Sequence, residues 1–521
     1  MGIKISESGL NIHDVAAVAR KKASVELSGS VKTKISQSRE IIENYVKNNK
    51  TVYGVTTGFG PLCKYVISPK KAEELQENLI KSHSSGVGDY LPQDIVRACM
   101  LIRCNTLAKG CSGVRLEIIE NLIEMLNKGV HPLIPETGSV GASGDLNPLS
   151  HMALPLIGEG FVEYKGKIIK SEEAFKECGI EKINLSYKEG LSLINGTSVM
   201  TGIAALLVYD SENILKIAEL GAAFGLEVLD GIIDAYDERL QNVKSHPGQI
   251  KTAQNIREML KGSRNVKDRN FILNVLENEK TEDDVSEVNT EIQNAYSLRC
   301  APQILGPVSD IINYVKRVVE TEMNSVTDNP IVFSEGKEIL HGCNFHGQPV
   351  SMAMDFLSVG LAEIGVLSER RTARVLDKNL NNGLPAFLIK EDTGLKSGFM
   401  GMQYIASSCV AENAVLSSPV SIQSVSTNAN NQDVVSMGTV AARKCKKVLE
   451  NIERILGVEL LVMCQAVDVK NIADRLGVGT KKAYDFIREQ IPVLEEDRIL
   501  SDDLNKIIGL IKNRSVLKAI Q

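Results

Sequence analysis

The hydrophobic positions of this 521-residue chain repeat with a helical period over long stretches. Val308, Ile311, Ile312, Val315, Val318, Val319 and Met323 follow the i, i+3, i+4, i+7 spacing that gathers side chains on one helix face. Val448, Ile452, Ile455 and Leu456 repeat that spacing further on. Residues 199–240 and 351–377 are apolar on more than one side, as in helices enclosed within a bundle or between subunits. Proline, which interrupts helices, is absent between Pro155 and Pro247 and between Pro419 and Pro492. Four of the fifteen prolines fall at 132, 135, 148 and 155 and mark one irregular region. Strand patterns are weak and confined to Phe161–Tyr164 and Lys167–Ile169, on either side of Lys165-Gly166. Short strands do not alternate with helices, which excludes a doubly wound sheet. The pattern predicts a mainly α chain, with an N-terminal region over 1–200 and a long helical bundle with a C-terminal helical region over 201–521. Residues 262–290, charged and poor in apolar side chains, read as an exposed insertion or flexible loop.

Composition narrows the class. An apolar share of 43 % supplies a large core and excludes disorder as the main theme. Lys and Arg number 59 against 65 Asp and Glu, a net charge of −6, so no basic surplus exists to follow a phosphate backbone. Trp is absent and aromatics make up 4 %, which argues against stacking on single strands. Nucleic acid is therefore not an expected partner. No run of 18 apolar residues occurs and the first residues are polar, so neither a membrane span nor a secretory leader is expected. Met1-Gly2-Ile3-Lys4-Ile5-Ser6 fits a myristoylation pattern, but no second lipid signal accompanies it. The ten cysteines form no Cys-x-x-Cys pair and read as small buried hydrophobes. The cytoplasm is the expected compartment. His341 and His346 stand five apart in a glycine-containing loop, which fits no metal-binding helix face, and no metal is expected.

The segment of greatest chemical interest is Gly138-Ser139-Val140-Gly141-Ala142-Ser143-Gly144-Asp145-Leu146-Asn147-Pro148. It fails as a hydrolase elbow, because Asp145 stands where Gly-x-Ser-x-Gly needs glycine. It fails as a phosphate loop, because no Gly-Lys-Ser/Thr follows. Taken alone it reads as a turn of small residues. Small residues also permit another chemistry. In a tight bend the Gly144 nitrogen can attack the Ala142 carbonyl carbon and lose water, and dehydration of Ser143 then leaves an exocyclic methylene. The product is 4-methylideneimidazole-5-one (MIO), an electrophile that no ordinary side chain supplies.

Gly141-Ala142-Ser143-Gly144-Asp145-Leu146 closely resembles the cofactor-forming signature of the aromatic amino acid ammonia-lyase and 2,3-aminomutase family. Further blocks follow in the family's order. They are Tyr53-Gly54-Val55-Thr56-Thr57-Gly58-Phe59-Gly60, Leu193-Ile194-Asn195-Gly196-Thr197 and Gln293-Asn294-Ala295-Tyr296-Ser297-Leu298-Arg299. Thr327-Asp328-Asn329-Pro330 and Gly342-Cys343-Asn344-Phe345-His346-Gly347-Gln348-Pro349 complete the set. The resemblance implies MIO formed from Ala142, Ser143 and Gly144, elimination of ammonia from an aromatic L-amino acid, and no external cofactor. It implies that Tyr53 takes the β-proton and that Arg299 grips the substrate carboxylate with its planar fork. Asn195 is implied beside the MIO carbonyl, and Tyr296 among the catalytic groups. Gln293, Asn344 and Phe345 are implied in or near the pocket, and Glu412 facing the substrate amine or side chain. The family forms homotetramers whose active sites combine residues from several subunits.

Selectivity is expected at Ser82-His83, where an imidazole asks for a polar partner on the substrate ring. L-Histidine, giving urocanate, and L-tyrosine, giving coumarate, both provide one. His83 and Glu412 lean towards histidine lyases, whereas Asn431-Gln432-Asp433-Val434-Val435-Ser436-Met437 and Ser245-His246-Pro247-Gly248-Gln249-Ile250 lean towards tyrosine-active members. A tyrosine 2,3-aminomutase shares the first elimination and differs in returning the amine before release. The rival from another class is a non-catalytic helical scaffold in which the tripeptide never cyclises.

Overall fold

The computed structural model describes residues 2–520 except 280, 282–284, 286, 289 and 290. The chain is mainly helical, as its periodicity predicts, and divides into two compact units. One comprises the chain up to Tyr209 together with Val315–Asp355 and Pro419–Lys444. The other comprises Asp210–Tyr314, Phe356–Ser418 and the chain from Cys445 onward.

In the first unit, helix Ile12–Lys21 starts at Asn11, whose side chain accepts the His13 and Asp14 amides while Asp14 accepts the Asn11 amide. Such reciprocal caps are worth about 1 kcal/mol. Helix Gln93–Ala108 is buried on every side from Ile95 to Ala108 and forms the axis of the core. Helix Leu116–Lys128 turns Ile118, Ile119, Leu122, Ile123, Met125 and Leu126 inward. Each such side chain contributes about 2 kcal/mol, an upper value set by an extended unfolded chain. Strands are short. The expected pair, Phe161–Tyr164 with Lys167–Lys170, forms an antiparallel hairpin that His131–Pro132 joins.

The second unit packs helices Pro247–Met259, Met400–Leu416, Val478–Gln490 and Leu500–Lys512 with parts of longer helices. Its core encloses an ion pair, Arg371 with Glu459 at 2.6 Å, both side chains fully buried. Four long helices, Ser198–Val228, Ala301–Met323, Gln348–Leu376 and Gly438–Lys470, supply residues to both units. Val308, Ile312, Val315, Val319 and Met323 are buried as the spacing predicts, while Ile311 and Val318 edge the stripe.

Two expectations about elements are corrected. The helix expected over 199–240 ends at Val228. There Asp230 adopts a left-handed φ of 50°, and the Gly231 amide turns back to the Leu226 carbonyl at 2.7 Å. The insertion expected over 262–290 contains helix Arg269–Glu279, which Asp268 starts by accepting the Phe271 amide at 2.8 Å and which buries Ile272. The remainder of that expectation falls partly on residues outside those described.

Among the described residues, one helix, Gln348–Leu376, is long and apolar enough to cross a membrane, and 67 % of its most apolar stretch is buried inside the fold. Its exposed positions fall on one stripe: Pro349, Met352, Phe356, Val359, Glu363, Val366 and Arg370. The alternating three- and four-residue steps keep these side chains on a single face.

Candidate active site

The site grows from three segments of the first unit. The tyrosine loop rests on Gln76, a fully buried side chain. Its amide nitrogen donates to the Gly54 carbonyl at 3.0 Å and its oxygen accepts the Leu191 amide at 3.0 Å. One glutamine thus ties the loop carrying Tyr53 to the helix Glu189–Ile194 that ends at Asn195. That short helix is anchored by buried charge. Glu189 accepts from Arg115 at 2.7 Å and from the Ser186 amide at 2.7 Å, and Lys188 pairs with Asp328 at 2.6 Å. Burying such charges is costly unless each is paired, as here.

The third segment is the small-residue turn. Gly144 sits at φ +67°, and a Cβ there would lie 2.1 Å from the Gly196 carbonyl oxygen, so only glycine fits. Asp145, fully buried, follows directly. Its carboxylate accepts from Ser139 at 3.0 Å, from Thr439, and from the Val199 and Met200 amides at 3.0 and 2.8 Å. The last two amides open helix Ser198–Val228, where a negative group is favoured. Burial pushes the Asp145 carboxyl upward, and Thr439, Met200, Ser139 and Val199 oppose that rise by hydrogen bonding to the charged form. The turn is thereby fastened to a long helix.

These segments meet at a cavity of about 980 Å³ whose lining includes Tyr53, His83, Ala142, Ser143, Asn195 and Phe345. Small-molecule sites run to about 1,000 Å³. Six of the twelve expected site residues are therefore brought together. Gly144 lies in the turn itself. Asn344 does not line the cavity, and its amide donates to the Val326 carbonyl at 3.3 Å. Gln293, Tyr296, Arg299 and Glu412 belong to the second unit and are not among the lining residues. There the Arg299 guanidinium lies over the Tyr296 ring at 4.6 Å, Tyr296 is 69 % exposed, and Glu412 accepts from Asn451 at 2.7 Å.

Within the cavity, the Tyr53 hydroxyl oxygen accepts the Gly60 amide at 2.9 Å. Burial pushes its phenol above the ordinary value near 10, the Gly60 amide pulls it down, and Cys63 adds a smaller upward push. The Asn195 amide donates to the Ser143 carbonyl at 3.1 Å, and its own carbonyl oxygen has no hydrogen-bond partner among the described residues. His83 Nδ1 lies 3.0 Å from the Leu79 carbonyl. Burial lowers its pKa and the Leu79 carbonyl partly restores it, so the ring is neutral near pH 7.

Gln432 is a site residue that the motifs did not single out. Its amide donates to the Ser143 hydroxyl at 2.8 Å, and Thr427 donates to the Gln432 side-chain oxygen at 2.9 Å. In sequence it stood only within a block that bears on substrate choice. Its partner lies 289 residues away, so no local spacing reports the contact.

Comparison with known proteins agrees with this architecture. The sequence model of the aromatic amino acid lyase family matches residues 10–489. A histidine ammonia-lyase of Caldanaerobacter subterraneus subsp. tengcongensis is 48 % identical over 519 residues, covering 100 % of this chain and 98 % of its own. The crystal structure of a tyrosine aminomutase from Streptomyces globisporus superposes with a TM-score of 0.97 at 41 % identity, covering 100 % of this chain and 98 % of its own. That of a histidine ammonia-lyase from Trypanosoma cruzi does so with a TM-score of 0.89 at 36 % identity, covering 100 % and 95 %. With the signature turn, the tyrosine loop and the asparagine helix meeting at one cavity, and with this similarity running the length of the chain, the protein belongs to the aromatic amino acid lyase family and is a carbon–nitrogen lyase.

Proposed function

We propose that the protein is a histidine ammonia-lyase, converting L-histidine to urocanate through MIO made from Ala142, Ser143 and Gly144. The observation that carries the substrate is the 48 % identity, over the whole chain, to a histidine ammonia-lyase. The site supports it chemically. Because a carbonyl can only accept, His83 Nδ1 carries the ring proton toward Leu79, which leaves Nε2 as an acceptor for the substrate. A phenylalanine ring offers no donor to it, whereas an imidazole N–H does.

The turn fits the prosthetic group. Gly141 and Gly144 are bridged across it, Gly144 has no side chain to obstruct closure, and the carbonyl of Ser143 already receives the Asn195 amide. MIO, once formed, supplies an electrophilic carbon that makes the substrate amine a better leaving group. The other tasks fall to the chain. Tyr53 accepts the β-proton, and the Gly60 amide stabilises the phenolate. Asn195 donates to the carbonyl on which negative charge develops. Before cyclisation Gln432 orients the Ser143 hydroxyl that is to be lost, and Phe345 packs the cavity wall. Arg299 grips the carboxylate, with Gln293, Tyr296 and Asn344 around it and Glu412 toward the amine.

We further propose a homotetramer in which Gln293, Tyr296, Arg299 and Glu412 complete cavities of neighbouring subunits. The exposed stripe from Met352 to Arg370 supports it, since an apolar face this regular suits a partner helix. Light scattering on the eluted protein is expected to give about four times the 56.8 kDa of the chain. A fully active monomer would remove this assignment. The ten free cysteines suit a reducing compartment, and we place the protein in the cytoplasm.

A second reading, tyrosine 2,3-aminomutase, is favoured by the TM-score of 0.97 and by the Asn431-Gln432-Asp433 block. Turnover of L-histidine and L-tyrosine side by side separates the two. Urocanate is expected as the main product. Coumarate or β-tyrosine as the main product would transfer the assignment to the tyrosine branch.

A further inference from the structure

Arg103 lies on helix Gln93–Ala108, is fully buried, and does not itself line the cavity described above. One of its nitrogens, Nη2, donates both to the Ser192 carbonyl and, at 2.9 Å, to the Asn195 carbonyl. The two acceptors belong to the last turn of helix Glu189–Ile194 and to the residue that ends it. Carbonyls at a helix C-terminus have no partner within the helix, and a cation there is favoured by the helix dipole. Arg103 satisfies both requirements from beneath.

The next residue shows how closely the guanidinium approaches. Gly196 has φ +151°, and a Cβ on it would stand 2.3 Å from Arg103 Nη1 and 2.5 Å from the Thr327 carbonyl oxygen. The Gly196 carbonyl in turn accepts the Asp145 amide at 2.7 Å. Arg103 therefore fixes the peptide group that follows Asn195, the residue whose side chain reaches the Ser143 carbonyl. Its remaining nitrogens, Nε and Nη1, have no hydrogen-bond partner among the described residues. A buried guanidinium kept with unused donors is costly, and burial brings its pKa down to about 10, against the pull of Asp328 and Asp145.

We propose that Arg103 is a positioning residue for the elimination, acting through Asn195 by fixing the backbone from which that amide reaches the Ser143 carbonyl. The proposal rests on the MIO reading above. Displacing a catalytic amide by about 1 Å costs on the order of 10²-fold, so R103K is expected to lower kcat by about 10- to 100-fold with KM little changed.

The test is a double-mutant cycle on the full-length enzyme: wild type, R103K, N195A and R103K/N195A. Each is assayed for kcat and KM per mole of dehydrated chain, with dehydration read from intact mass and folding from thermal unfolding. Wild type retaining its full encoded mass would sink the MIO reading itself, and the cycle is interpreted only after that control. Arg103 acting through Asn195 predicts that R103K adds little to N195A, so that the double variant turns over about as N195A does. Independent losses that multiply would overturn the proposal, as would R103K with wild-type kcat. Where R103K is not recovered folded, R103Q takes its place in the cycle. Failure of both to fold would make Arg103 a residue of the fold and would equally overturn it.

Discussion

Ser143→Ala is expected to leave a folded protein that has lost turnover by about 10⁴-fold or more, the scale on which removal of a covalent-catalysis group acts. The side chain is half-buried and its hydroxyl makes one hydrogen bond, to Gln432 at 2.8 Å. Mature wild type has given up that same hydroxyl on cyclising, so the variant loses no bond relative to it and the melting temperature should move by only a few degrees. The expected pattern is thus a large catalytic loss with a small stability change. Intact mass ties it to the prosthetic group, because wild type should lack two waters and the variant cannot lose the one from Ser143. Unchanged turnover in Ser143→Ala would refute the role given to the whole turn.

Tyr53→Phe is expected to reduce kcat by about 10²- to 10⁴-fold, the usual contribution of a positioned general base. It also carries a signature in pH. Burial holds the Tyr53 phenol above 10, with the Gly60 amide opposing. The proton-accepting form is the phenolate, so it becomes more abundant as pH rises and wild-type kcat/KM should climb through the alkaline range. The phenylalanine variant should lack this rise. Substrate ionisation contributes equally to both enzymes, so the difference between their profiles isolates Tyr53. An identical alkaline slope in the variant would assign the base elsewhere.

The long helices were legible because burial imposes a 3.6-residue period on apolar side chains, and Val308 to Met323 obey it over most of their length. The end of helix Ser198–Val228 was not legible. What stops it is a left-handed Asp230 and an Ile232 amide bonded to the Asn294 side chain at 2.6 Å, and both depend on tertiary context. Helix Arg269–Glu279 escaped notice because it buries only Ile272, too little to impose a period. Tyr53, His83, Ser143, Asn195 and Phe345 could be picked out from contiguous blocks and do line one cavity. The supporting residues could not. Gln76, Arg103 and Gln432 each act through one or two hydrogen bonds to distant segments of the chain, and an isolated Gln or Arg carries no spacing by which to be found.

The turn over 138–145 is held almost entirely by groups that come later in the chain. The Ser436 hydroxyl donates to the Gly141 carbonyl at 2.9 Å, the Met437 amide to the Val140 carbonyl at 2.8 Å and the Gly347 amide to the Gly141 carbonyl at 3.3 Å. During synthesis none of these can act until most of the polypeptide has been made and has packed. On the MIO reading proposed above, maturation is therefore timed by completion: a truncated chain lacks the bonds that bend this turn and carries three ordinary residues at this place.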